Sequence, residues 1–158
     1  MTYTIPEILE MIEKAKTKEE KVNLFLQYQS DPLIVLMRLN FDPMLWMDLP
    51  EGDPPFKKET DVPVGHSPSN IYKEFRRFYL WLSPQNISKV KKETLFIELL
   101  ESIHHTEAEV LLLCKDRKLE TKFKTITEDI VRQAFPNALT PKENLPKLKK
   151  EKAKAPLA

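Results

Sequence analysis

Apolar residues recur at helical spacing along most of the chain. Ile8, Leu9, Ile12 and Ala15 follow a 3.6-residue period after Thr4, and Val22, Leu24, Phe25 and Tyr28 nearly do so after Thr17. Both runs open on a threonine with glutamate three residues on, a pairing that satisfies two orphan N–H groups of a helix start reciprocally. Four such boxes occur, Thr4/Glu7, Thr17/Glu20, Thr106/Glu109 and Thr125/Glu128, and the first two predict helices over 5–16 and 18–28. Asp31-Pro32 opens a third helix through Leu33, Leu36, Met37 and Phe41, and Asp42-Pro43 restarts the chain in a short turn around Trp46. Residues 50–69 lose all periodicity and predict a loop longer than the roughly 12–15 residues that structureless connections usually reach.

Beyond that loop, Ser67-Pro68 predicts the cap of a helix carrying Ile71, Tyr72, Phe75, Phe78, Tyr79 and Leu82 on one broad face. A helix from Ser88 carries Val90, Leu95, Ile97, Leu99, Leu100 and Ile103 around most of its circumference, the pattern of a central helix. Shorter helices are expected over 107–115 and 127–134, with Phe135-Pro136 as the stop.

Composition narrows the fold class. Gly52 and Gly65 are the only glycines among 158 residues, so primed hairpins and glycine-rich phosphate loops have almost nothing to be built from. The 13 prolines fall mostly between periodic segments or at helix starts, where a missing N–H does no harm. An apolar content of 41% suffices for one core. The expectation is an all-α, compact domain of about seven helices over residues 1–139, followed by a disordered, lysine-rich tail over 140–158 that lacks core-forming residues. That tail holds six lysines against two glutamates, net +4, which leaves the rest of the chain at −3. Any polyanion contact must therefore be local. Cys114 is the single cysteine and sits in an apolar run, as a buried small hydrophobe would. Glu7, Glu10 and Glu13 break the N-terminal apolar pattern, and no run of about eighteen apolar residues occurs, so a soluble cytoplasmic protein without a membrane partner is expected.

The order of elements resembles the N-terminal helical DNA-binding domain of phage-type ATP-dependent DNA ligases. The matching stretches are Ile5-Pro6-Glu7-Ile8-Leu9-Glu10-Met11-Ile12 with Thr17-Lys18-Glu19-Glu20-Lys21, the helix from Pro32 to Phe41, and Leu99-Leu100-Glu101-Ser102 through to Ala134-Phe135-Pro136. The chain is similar, too, to a family of small proteins of unassigned function from large tailed phages. The ligase resemblance covers roughly residues 4–139 and implies a helical clamp on double-stranded DNA that follows the backbone along the minor groove. It stops where a nucleotidyltransferase domain would begin. That domain carries AMP on the lysine of a Lys-x-Asp-Gly motif, and the chain contains no Asp-Gly pair, so no ligation is expected of it. The connectors that the resemblance assigns to the duplex are Asn40-Phe41-Asp42-Pro43-Met44, which has no cation, and Lys115-Asp116-Arg117-Lys118-Leu119; neither contains glycine.

The second connector opens the strongest local charge signal. Over residues 115–124, Lys115, Arg117, Lys118, Lys122 and Lys124 oppose Asp116 and Glu120 for a net +3, running into Thr125, whose expected helix start offers free N–H groups to a phosphate. A solvated loop has the same composition. Lys89 and Lys92, with Lys91, stand in the first turns of the helix after Ser88, where cations oppose the macrodipole and a polyanion would relieve them. Arg76 and Arg77 stand among aromatics and suit stacking on Phe75 or Tyr79. His104 and His105 with Cys114 do not form a metal set, because adjacent histidines on a helix diverge by about 100°; they fit a helix C-terminus instead. Glu98, Glu101, Glu107 and Glu109 are not gathered with any nucleophile. Trp46, Met47 and Leu49 form an apolar knot, for the core or for a protein partner. The expected function is a non-catalytic, cofactor-free, metal-free DNA-associating module of phage replication or repair without a small-molecule substrate; the alternative is an adaptor for a phage or host protein.

Overall fold

The computed structural model describes residues 3–82 and 88–141. Among the described residues there are helices and no strands: α1 (Ile5–Lys14), α2 (Lys18–Gln27), α3 (Asp31–Phe41), α4 (Ile71–Glu74), a 3₁₀ turn (Phe75–Phe78), α5 (Tyr79–Leu82), α6 (Lys89–Ser102), α7 (His105–Lys115), a 3₁₀ turn (Leu119–Thr121) and α8 (Glu128–Ala134). α4, the first 3₁₀ turn and α5 follow one another without a break, so they form one helical rod and the described rods number seven.

α1 keeps the full predicted box: Glu7 N donates to Thr4 Oγ1 and Thr4 N donates to the Glu7 carboxylate at 2.8 Å. Ile5, Ile8, Leu9 and Ile12 are its buried face. At α2 the N–H of Glu20 donates to Thr17 Oγ1 at 3.1 Å. Ser30 caps α3, whose first turn accommodates Pro32. The helix expected to start at Ser67-Pro68 starts instead after Asn70, whose side chain accepts from Lys73 N at 3.0 Å.

The central helix is α7, not α6. Ala108, Val110, Leu111, Leu112 and Cys114 are all buried, and α7 packs against α1, α3 and α6. On α6 the buried residues are Lys92, Phe96, Leu99 and Leu100, while Val90 is 75% exposed. The box Thr106/Glu109 does not form. His104 is the N-cap of α7, with Nε2–H on the Val62 carbonyl (2.8 Å), which leaves Nδ1 to accept from Thr106 N (3.2 Å). The histidine pair therefore lies at a helix N-terminus, not a C-terminus, with its rings 4.4 Å apart.

The long segment after α3 is a strap fastened to α5 and α6, and to α7 through Lys115 on the Pro50 and Gly52 carbonyls. Asp48 N donates to the Trp81 carbonyl at 2.6 Å, Lys57 N to Glu101 at 2.7 Å, and Ser69 N to the Ser102 carbonyl at 2.7 Å. Its length is accommodated by these fastenings, because each satisfies a backbone group that helix or sheet would otherwise take. At the far end the chain returns to the body: Thr140 donates through N and Oγ1 to Asp42 Oδ2, both at 3.0 Å, and its carbonyl accepts from Arg132 at 2.7 Å. Thr140, expected in the tail, is thus joined to the body, and residues 142–158, where the rest of that expectation falls, lie outside the described residues. No helix among the described residues is long and apolar enough to cross a membrane.

Candidate nucleic-acid interface

The two connectors assigned to one surface are joined in space. Asn40, buried at the end of α3, accepts from Leu119 N at 3.0 Å and donates to Glu120 at 2.7 Å. Arg117 donates through Nη1 to the carbonyl oxygens of Leu39 (2.7 Å) and Leu45 (2.9 Å), which turns the unsatisfied end of α3 into a socket for the end of α7. Arg117 holds φ at 61°, a left-handed conformation that glycine would adopt without cost, so the connector keeps its tight turn with a side chain in place of a glycine. Burial pulls its guanidinium below the ordinary arginine value, and Asp42 and Glu120 act in the opposite direction.

Several of the expected phosphate contacts are occupied by the fold itself. The Lys115 ammonium, whose side chain is 1% exposed, donates to the carbonyls of Pro50 (2.7 Å) and Gly52 (3.0 Å) and to Asp116 (2.6 Å). Lys92 is buried as well and donates to Asp48 at 2.6 Å, and its own carbonyl accepts from the Trp81 indole at 3.0 Å. Lys92 and Lys115 thus pin the same strap segment from two sides. Thr125 does not cap α8. Its N–H and hydroxyl both donate to Glu13 (2.9 and 2.6 Å), and the hydroxyl accepts from the buried Lys21 ammonium at 3.0 Å. The N-cap of α8 is Thr127, two residues later.

Lys118, Lys122, Lys124 and Lys89 remain on the surface. Lys118 pairs with Glu51 at 2.9 Å, a hydrogen bond that raises its ammonium above the ordinary lysine value. Lys122 pairs with Glu109 and lies 5.9 Å from the Phe123 ring centroid. Exposed pairs of this kind contribute little to stability and exchange readily for another anion. Arg77 pairs with Glu74 at 3.1 Å, which leaves its guanidinium on a carboxylate and not on Phe75 or Tyr79. Met47 enters the core, and Trp46 and Leu49 lie half-buried beside it.

Asn40, Asp48 and Glu13 hold the connectors in place, a role that sequence reasoning gave to none of the three. Asn40 alone carried a signal, as a neutral amide inside the apolar stretch Leu36-Met37-Arg38-Leu39-Asn40-Phe41. Among the described residues no group of His, Cys, Asp or Glu is gathered as a metal site.

Among the described residues these elements define an all-helical domain whose buried polar side chains, Asn40, Lys92 and Lys115 among them, join its connectors. Over residues 8–121 the chain matches a family of unknown function, DUF6433, and it belongs to that family. Comparison with curated proteins and with solved structures gave no match.

Proposed function

We propose that the protein is a non-catalytic DNA-associating module that binds duplex weakly and without sequence preference. The contact surface is the junction of residues 39–45 with residues 115–124, where Lys118, Lys122 and Lys124 face the phosphates. The observation that carries this reading is the tie between Asn40 and Leu119: two connectors 79 residues apart, both assigned to the duplex by the resemblance to ligase DNA-binding domains, are held as one surface. The inward lysines and Arg117 keep that surface rigid, and three outward lysines supply its charge. The lysine-rich residues 142–158 follow Thr140 in sequence, and Thr140 is anchored on Asp42 at the edge of the same junction. Without a Lys-x-Asp-Gly motif the chain has no lysine placed to carry AMP.

Fluorescence anisotropy with a labelled duplex tests the reading. Binding is expected at about 50 mM salt and its loss well below 1 M, because lysines on phosphates act through counterion release. A second reading, a protein-docking adaptor, is favoured by the acidic body and by Glu51 and Glu109, which already occupy Lys118 and Lys122. Absence of any duplex binding at low salt would remove the first reading and leave the second.

A further inference from the structure

His104 joins the strap to α7 through one neutral tautomer. Its Nε2–H donates to the Val62 carbonyl at 2.8 Å, and Nδ1 accepts from Thr106 N at 3.2 Å. The ring is buried, lies 4.4 Å from the His105 ring, and stands at the positive end of the α7 dipole. Little packing holds this part of the strap. Residues 57–61 and 63–66 are exposed, and a cavity of about 320 Å³ lined by Val62, His66, Leu100, Ile103 and His105 lies between the strap and the end of α6. Protonation of His104 turns Nδ1 into a donor, which the Thr106 hydroxyl at 2.7 Å can receive and the Thr106 N–H cannot. It also sets a positive ring beside a helix N-terminus and a second imidazole.

We propose that His104 and His105 form an acid-sensitive clasp: when they take up protons, residues 58–68 leave α7 and the cavity opens, while Lys57 and Ser69 stay fastened as hinges. The surroundings offer the charged pair little relief. Burial, His104 and Lys58 weaken the hold of His105 on a proton, Lys122 acts likewise, and Glu109 opposes them. Glu109 is already paired with Lys122, Glu59 with Lys57, and Asp116 with Lys115. Glu101 receives Lys57 N, and Asp53 and His66 are exposed to solvent. Glu107 is buried at this end and accepts from the N–H groups of Ile71 and His104, but burial raises its carboxyl to about 6, so its charge fades as the imidazoles gain theirs. The folded chain resists the His105 proton that the unfolded chain accepts at about 6.5; the closed strap therefore loses stability as pH falls through that value and below it.

Magnetic resonance on the full chain tests the clasp. At about pH 7.5 the His104 ring should show through-space contacts to Val62, and these should vanish by about pH 5.5, on the other side of the ordinary histidine value. Over the same range exchange of the Thr106 N–H, corrected for its intrinsic pH dependence, should speed about tenfold or more. The Asp48 and Ser69 amides, held on the Trp81 and Ser102 carbonyls, should keep their protection. His105→Phe keeps a ring beside His104 without its charge and should carry the transition about one pH unit lower. His104→Asn still caps α7 but does not titrate, so Thr106 exchange should be alike at both pH values. Glu107→Gln should leave the response in place, which separates the clasp from that acid. Contacts to Val62 that persist at about pH 5.5 overturn the proposal even where Thr106 exchange quickens, because the ring then charges without leaving the strap. A response that survives His104→Asn, or one that disappears in Glu107→Gln, overturns it too.

Discussion

Arg117 is bound to Leu39 across 78 residues of sequence, its Nη1 2.7 Å from the leucine's carbonyl oxygen. The same nitrogen holds the Leu45 carbonyl, so one side chain closes the end of α3 and sets the start of the strap. Removing it leaves two carbonyls without that donor while the backbone stays in a left-handed turn. Arg117→Ala should lower the stability to urea by about 2–4 kcal/mol. Arg117→Gly should recover about 1 kcal/mol of that, because glycine takes the positive φ freely. Arg117→Lys should resemble alanine, since a single ammonium does not reproduce the planar fork. Equal stability of the alanine variant and wild type would show that the junction does not depend on this tie.

Glu107 offers a pH-dependent test. It is 1% exposed, receives Ile71 N at 3.3 Å, and burial raises its carboxyl to about 6. A value above the ordinary 4.5 means that the folded chain holds this proton more tightly than the unfolded chain. Its contribution to stability is therefore full below about pH 4.5 and is lost as pH rises through 6, by about 2 kcal/mol. Glu107→Gln keeps an acceptor for Ile71 without the charge. It should be more stable than wild type at pH 7.5 and equal to it near pH 4, which thermal melts at the two pH values would read. A variant less stable at both would mean that the ionised carboxylate is itself favourable.

Much of the helical framework could be read from the sequence because periodicity and caps are local. Thr4 with Glu7, Thr17 with Glu20, and Pro32 after Asp31 act within one turn, and each marks a helix start where expected. The errors came where a distant residue claimed the same atoms. Thr125 has the spacing of a cap, but Glu13, 112 residues away, takes its N–H. Thr106 loses to His104, a residue that caps only because Val62 fixes which ring nitrogen is free to accept. Part of the expected basic set is turned inward for a related reason. Charge in sequence does not reveal direction, and Lys92, Lys115 and Arg117 point inward at strap and helix-end carbonyls or carboxylates that no spacing rule identifies.

Lys115 and Lys118 separate the two uses of charge on one connector. Lys115→Met leaves Asp116 and two strap carbonyls without their cation, and breaking such a buried pair costs about 3–5 kcal/mol. The strap should then loosen first, so trypsin should cut faster at the exposed Lys57 and Lys58. Lys118→Met removes an exposed pair with Glu51 and should leave both stability and cleavage unchanged. Faster cleavage in the second variant, or none in the first, would contradict this division.

The duplex contact should depend on the junction's outward lysines and not on Arg117, whose loss would open the junction and confuse the result. A variant with Lys118→Glu, Lys122→Glu and Lys124→Glu changes side chains that are all exposed, so it should fold as wild type does. Two sources of affinity then make different predictions. If the junction is the site, this variant loses binding, while removing residues 142–158 only weakens it. The log-log salt dependence should fall by about 0.9 for each phosphate deprived of its lysine, hence by nearly 3 if all three lysines touch the backbone. If the C-terminal lysines supply the affinity, truncation removes it and the junction variant binds almost normally. Glu51 and Glu109 sharpen the test further. Their replacement by glutamine frees Lys118 and Lys122 from their present partners and should tighten duplex binding, with the increase largest at low salt. Unchanged affinity in that variant, together with unchanged affinity in the triple glutamate variant, would move the binding surface off the junction altogether.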